Sequence, residues 1–285
     1  MSSSDALVLN PPLIAAMAQA TRALHTDAFS QALLEVITLV TPVDSFAAVG
    51  FPSDSLPILL SDITQRNVEP EKKGDLDNYI GGAYLLDPFY EAAQEFIPSG
   101  LYRLGEVAAD DFHSSEYFRL YYRYSNLTDE VGFLLAIKNA GYLHLSLARI
   151  EHFQEPEVEN LRQLTPWLLA VLEQQWQGVL SNKPQQQVSL HKQLTEALRN
   201  FGSSLLTDRE CEVARLLLHG HSSKSMAAKL KISMETIKVH RRNLYNKLDI
   251  SSQSELFSLF LSSISMAGRA PGVDPLSAYF SPPAD

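Results

Sequence analysis

Apolar positions change period several times along the chain, and each change predicts a new kind of element. Residues 11–24 and 27–40 read as helices. In the second, Phe29, Leu33, Val36, Ile37 and Val40 recur on one helical face, and Pro42 ends it. Residues 45–51 and 57–61 are short apolar runs bounded by turn formers, the pattern of a strand pair. Residues 72–95 return to helical spacing, interrupted at Gly81-Gly82 and Asp87-Pro88. A strand at 101–104 and a short aromatic helix at 114–124, capped by Ser114 or Ser115, follow. The clearest hairpin signal comes next: residues 131–137 and 142–150 flank the turn Lys138-Asn139-Ala140-Gly141. His144, Ser146 and Ala148 alternate there with Leu143, Leu145 and Leu147, which predicts one buried face. A long helix over 156–178 carries the stripe Leu161, Leu164, Leu168, Val171 and Gln175, with a kink or restart expected at Thr165-Pro166. Helices around an antiparallel sheet make this front region an α+β unit.

Residues 205–264 are organised differently, as four short helices. The first opens on the capping box Thr207-Asp208-Arg209-Glu210 and ends at Gly220. The second opens near Ser222-Ser223 and buries Met226, Ala227 and Leu230. Lys231-Ile232-Ser233 is a tight turn in which Ser233 caps a third helix, residues 234–248. On that helix Ile237, Leu244 and Leu248 share an inward face, whereas Glu235, Lys238, Val239, Arg242 and Asn246 share another. A helix fits the major groove of DNA, where Lys and Arg donate to guanine and an apolar side chain meets the thymine methyl. Thr236, Arg241 and Lys247 lie at the edges of that face, placed for phosphate. Ser222 and Lys224, at the start of the second helix, complete the expected DNA-binding set. The fourth helix opens on a second capping box, Ser252 to Glu255, and carries Leu256, Leu259 and Phe260.

Charge sharpens this division. The chain has 285 residues and a net charge of −10, which taken whole argues against nucleic acid. Residues 205–250, however, hold nine Lys/Arg against five Asp/Glu, or +4, and the remainder holds 14 against 28, or −14. A basic head on an acidic body is the asymmetry of a protein with one DNA-facing end. A single cysteine, Cys211, excludes an internal disulfide and a multi-cysteine zinc site. The N-terminus has no secretory pattern, and no stretch is apolar for the ~18 residues of a membrane span, so a cytoplasmic protein without a membrane partner is expected. The eight histidines show no metal-ligand spacing, and neither a G-x-S-x-G element nor a phosphate-binding glycine loop is present. No enzyme, cofactor or metal is expected.

The 205–264 stretch resembles the LuxR-type helix-turn-helix. The resemblance rests on Leu206, Thr207, Arg209, Glu210, Glu212, Val213, Gly220, Ser222, Lys224, Ala227, Leu230, Ser233, Thr236, Ile237, Lys238, His240, Leu244, Lys247 and Leu248. It implies that Lys238, Val239 and Arg242 face bases, that Thr236 and neighbouring cations hold phosphate, and that the fourth helix pairs two copies on DNA. Ser225 departs from the pattern, which usually has Glu there.

Ahead of this module, 12 of the 26 aromatic residues fall within positions 79–124. Tyrosine has an apolar body and a polar tip, which suits a pocket for a small amphipathic molecule. Tyr79, Tyr84, Asp87, Tyr90, Tyr117, Tyr121 and Tyr122 are the candidate ligand-binding residues. The region also resembles GAF/PAS-like sensor domains, at Leu24-His25 and Phe29, Asp87-Pro88-Phe89-Tyr90, Ser115-Glu116-Tyr117-Phe118 and Leu127-Thr128-Asp129-Glu130. The expected organisation is a sensor and dimerisation domain (1–180), a linker (181–203) that is polar over 181–189 and forms a small helix over 190–201, the helix-turn-helix domain (204–265) and a flexible tail (266–285). The expected function is a homodimeric regulator of transcription that binds double-stranded DNA under control of a small-molecule effector, with RNA polymerase open as a further partner. Two alternatives stand beside it. In one, the front domain only dimerises or binds a protein. In the other it is an acyl-homoserine-lactone quorum-sensing receptor, suggested by the spacing of Tyr79 and Asp87-Pro88, although the only tryptophans are Trp167 and Trp176.

Overall fold

A computed structural model describes residues 7, 9–64, 79–123, 126–181, 185–267 and 273–280. Its first helices are α1 (Pro11–Arg22) and α2 (Phe29–Val40). Asn10 caps α1 by accepting the Leu13 amide, and Pro11 sits at its first position, where a missing N–H costs nothing. Strands β1 (Ser45–Pro52), β2 (Ile58–Thr64), β3 (Gly100–Arg103), β4 (Asp129–Ile137) and β5 (Gly141–Arg149) form one antiparallel sheet in the order β2-β1-β5-β4-β3. The predicted hairpin is β4–β5, and Gly141 takes the positive φ of 129° that its turn requires. Helix α3 (Pro88–Gln94) starts at Asp87, whose carboxylate accepts the Phe89 amide. The expected aromatic helix is realised as three short pieces: a 3-10 turn (Phe112–Ser114), an α turn (Glu116–Phe118) capped by Ser115, and a π turn (Arg119–Arg123). Residues 72–78 of the expected helix, and Tyr124, lie outside the described residues.

The sheet is covered on both sides. On one face Phe46, Ala48, Val131, Phe133, Leu143, Leu145 and Leu147 pack against α1, α2 and the long helix α4 (Glu155–Ser181). On the other, Phe51, Leu134 and Tyr142 meet the aromatic segment. The expectation of one buried face on β5 is therefore corrected: His144 and Ala148 are buried as fully as the leucines, because a second layer covers their side. Pro166 lies inside α4, which continues through it as one helix.

Helix α5 (Gln185–Asn200) covers the small helix expected over 190–201 and starts earlier, within the polar stretch 181–189. Glutamine is a good helix former, and Leu194 and Ala197 give α5 a buried face. The four head helices then follow as predicted: α6 (Asp208–Leu218), α7 (Ser223–Leu230), α8 (Met234–Leu248) and α9 (Gln253–Ala267). The tail needs a correction as well. Residues Pro275–Phe280 form α10, and the buried Asp274 carboxylate accepts from the amides of Gly202, Ser204 and Leu276 and from the Ser204 hydroxyl. One buried acid satisfies three amides, so this part of the tail is tied to the α5–α6 junction.

Candidate nucleic-acid interface and sensor cluster

The head is built from caps outward. Thr207 and Glu210 form the predicted capping box of α6, and Gly220 just beyond its end has φ 84°. Ser222 caps α7 by accepting the Ser225 amide at 3.1 Å, and Lys231 terminates α7 with φ 55°. Ser233 caps α8 by accepting the Thr236 amide at 3.0 Å. The capping box of α9 is only half formed. Ser252 accepts the Glu255 amide, but the Glu255 carboxylate accepts from the amide and hydroxyl of Ser251 instead. Ile237, Leu244 and Leu248 are buried and lock α8 into the head.

The outer face of α8 is open. Lys238, Val239, Arg242 and Asn246 are all exposed, with Val239 at 43% and Met234 at 51% of full accessibility. Met234 was missed by charge-based reading; its position one turn before Lys238 was the available signal. Lys238 forms an exposed pair with Glu235 at 2.8 Å, and Arg241 lies 5.6 Å from the Tyr245 ring centre. Lys224 is exposed at the start of α7. Two of the expected DNA-binding residues are engaged within the chain. The Lys247 ammonium donates to Glu210 at 2.7 Å, and Ser222 donates to Asp110. Glu210 is buried, which pushes its carboxyl up, but Lys247 and Thr207 outweigh burial and hold it below the usual range. Ser225, where the LuxR pattern has Glu, pairs with His221 at 2.9 Å.

The seven candidate ligand residues come together. Tyr79 donates to Asp87 at 2.7 Å, and Tyr117 hydrogen-bonds the same carboxyl. Tyr84 and Tyr90 meet edge-on at 4.9 Å, Tyr117 and Tyr121 lie 4.7 Å apart, and Tyr79 contacts both Tyr84 and Tyr121. Tyr122 donates to Glu130 at 2.5 Å. Glu130 and His144 were not singled out as site residues, because strands β4 and β5 deliver them from outside the aromatic segment. Burial first, and then the nearby Asp87 charge, push the Glu130 carboxyl up to about 7. His144 is stacked on Phe89 at 4.3 Å and driven down to about 3 by burial, so it is neutral. Asp87 is raised by burial against the opposing bonds from Tyr79 and the α3 amides. The Tyr84 hydroxyl also meets His191 Nδ1 of α5 at 2.9 Å, so the cluster touches the helix leading to the head. Neither tryptophan joins it; Trp176 packs on Phe29 across the sheet.

No helix among the described residues is long and apolar enough to cross a membrane, and no group of three or more metal-ligating side chains occurs among them.

Residues 204–260 match bacterial regulatory proteins of the luxR family. An HTH-type transcriptional regulator of Aeromonas salmonicida, encoded in the exeN 3′ region, is 33% identical over 183 residues, which are 61% of this chain and 93% of the relative. The nitrate/nitrite response regulator NarP of Escherichia coli is 47% identical over 58 residues, 20% of this chain and 27% of NarP. Among solved structures, the LBD domain of VqsR from Pseudomonas aeruginosa is similar with a TM-score of 0.52 and 28% identity, over 58% of this chain and 97% of that one. The C-terminal helices of this chain are a LuxR-type helix-turn-helix, its front domain is an α+β sheet-and-helix unit, and the chain belongs to the luxR family of bacterial regulatory proteins.

Proposed function

We propose that this regulator binds double-stranded DNA as a homodimer through the outer face of α8, and that its front domain senses a small molecule held by the tyrosine cluster. The observation that carries the DNA reading is the α8 face itself, where exposed Met234 and Val239 alternate with Lys238 and Arg242 on a capped, rigid helix. Lys238 and Arg242 are assigned to guanine edges, Val239 to a thymine methyl, and Thr236, Arg241 and Lys224 to phosphates. Two heads in a dimer meet half-sites about one helical turn apart. Such a regulator works in the cytoplasm, with RNA polymerase as a further partner. The sensing role is supported by the convergence of four tyrosine hydroxyls and two buried carboxyls, and by similarity to the LBD domain of VqsR.

The test is to select duplexes from a randomised pool with the full-length chain and measure affinity by fluorescence anisotropy. Lys238→Ala should weaken the selected duplex by about 1–3 kcal/mol and leave a scrambled one nearly unchanged. Equal loss on both removes the base-reading role. A thermal-shift panel of metabolites tests sensing, with Tyr121→Ala expected to abolish the stabilising hits. A second reading, an acyl-homoserine-lactone receptor, is favoured by the Tyr79–Asp87 bond, and members of that lactone class belong in the panel.

A further inference from the structure

Helix α8 carries one acid among its fifteen residues, Glu235, against four Lys and Arg side chains. Glu235 stands on the reading face, one turn before Lys238, and no base or phosphate contact assigned above involves it. Its side chain keeps 80% of full accessibility, and among the described residues its one partner is the Lys238 ammonium, 2.8 Å from Oε1. Met234 beside it is exposed as well, so the first turn of α8 is bare on the side that Lys238 and Val239 continue. In a helix-turn-helix the first residues of the second helix meet base edges. A carboxylate placed there lies among phosphates of its own sign, which weakens binding to any duplex. An acid in a first turn does favour the helix dipole, and Ser233 already caps this helix. That benefit is the same on every side of the helix, so it does not account for the acid's place on this face.

We infer that Glu235 and Lys238 act as one unit that reads a single C·G base pair and its orientation. In the major groove cytosine shows an N4–H donor, and guanine shows the O6 and N7 acceptors. N4 and O6 are themselves bonded across the pair, at about the 2.9 Å of an ordinary N–H···O bond. The Glu235 acceptor and the Lys238 donor stand 2.8 Å apart, so the two side chains offer the complementary order at the same spacing. The carboxylate faces the N4–H that pairing leaves free, and the ammonium faces O6. Inverting the pair sets the carboxylate against O6 and the ammonium against N4–H, like against like. An A·T pair keeps the order of amino and keto groups but gives the ammonium thymine O4 alone, one acceptor where guanine has two. The ranking at this position is therefore C·G, then A·T, with T·A and G·C last. The carboxylate lowers affinity for every sequence and lowers it least for one, which is how an acid raises specificity. The inference rests on the DNA-binding reading above.

The experiment selects duplexes from a randomised pool with the full-length chain and separately with Glu235→Ala, and the position whose preference differs marks the base pair. Fluorescence anisotropy then measures both proteins on the selected duplex with each of the four pairs placed there. For the unmodified chain, inverting C·G to G·C should weaken binding by about 10–100-fold, and A·T should weaken it less. Glu235→Ala should bring all four pairs within about threefold at that position alone. It should also bind a scrambled duplex about 2–5-fold more tightly, because a charge of the phosphates' own sign is gone. Glu235→Gln, whose amide matches adenine N6 and N7, should move the preference to A·T. Selections that agree at every position overturn the pair. So does an equal loss by Glu235→Ala on selected and scrambled duplexes, the mark of an acid that only steadies the helix. Enrichment of no duplex by the unmodified chain instead refutes the DNA-binding reading itself, and this inference with it.

Discussion

Replacing Glu130 by Gln is the sharpest check on the chemistry of the tyrosine cluster. Glu130 is buried, it accepts from Tyr122 and Ser146, and the acids facing it are Asp87 and Asp129. The one potential cation paired with it among the described residues, His144 with Nε2 at 3.6 Å, is kept neutral by burial. With no positive partner, Glu130 is pushed from 4.5 up to about 7. The folded pKa is raised, so the folded state holds the proton more tightly. The stabilisation is complete below about pH 4.5 and is lost as pH rises through about 7. At about 1.36 kcal/mol per pH unit, the shift corresponds to roughly 3 kcal/mol between those limits. Gln keeps the acceptor for Tyr122, turns an N–H toward the unpartnered His144 Nε2, and carries no titrating proton. Glu130→Gln should therefore match the parent near pH 5 and exceed it by roughly 3 kcal/mol at pH 8.5, measured by urea unfolding at both. His144 acts with the opposite sign, since its folded pKa is depressed and it costs stability as pH falls below about 6.5. That cost is common to both proteins and cancels in their difference. A difference that does not change with pH would refute the argument.

Two further substitutions test the packing. Asp274→Ala strands the amides of Gly202, Ser204 and Leu276, and should cost about 2–3 kcal/mol in urea unfolding while opening residues 273–280 to proteolysis; a cost near zero would mean the tail is not tied down. Gly132→Ala puts a Cβ into the Phe89 ring and 2.6 Å from His144 Nε2, both buried, and should cost about 1–3 kcal/mol by overpacking. An unchanged midpoint would show that this layer yields more easily than its packing indicates.

Much of the head was legible because its signals are local. A cap serine, a glycine at a helix end and an apolar spacing of three or four residues act within one or two turns, so α6 to α8 came out with their caps at Thr207, Ser222 and Ser233. The β4–β5 hairpin was legible for the same reason. The candidate ligand tyrosines were legible as a concentration, since most of them share one segment. Glu130, His144 and His191 were not, because they reach the cluster from β4, β5 and α5, and the packing of the aromatic segment against that hairpin and that helix leaves no local trace. Burial of β5 on both faces escaped for the related reason that alternation reports one covering layer and is silent about a second.

By itself the sequence determined the helix-turn-helix, its inward and outward faces, and the basic head on an acidic body, all of which depend on residue type and spacing along one chain. Tertiary structure decided how those parts are occupied. It seated Asp110 on Ser222, gave Lys247 to Glu210, buried the apolar face of α9 and tied Asp274 to the α5–α6 junction. Each of these pairs groups at least 30 residues apart, and a charge or a hydroxyl carries no mark of which distant partner folding will bring to it.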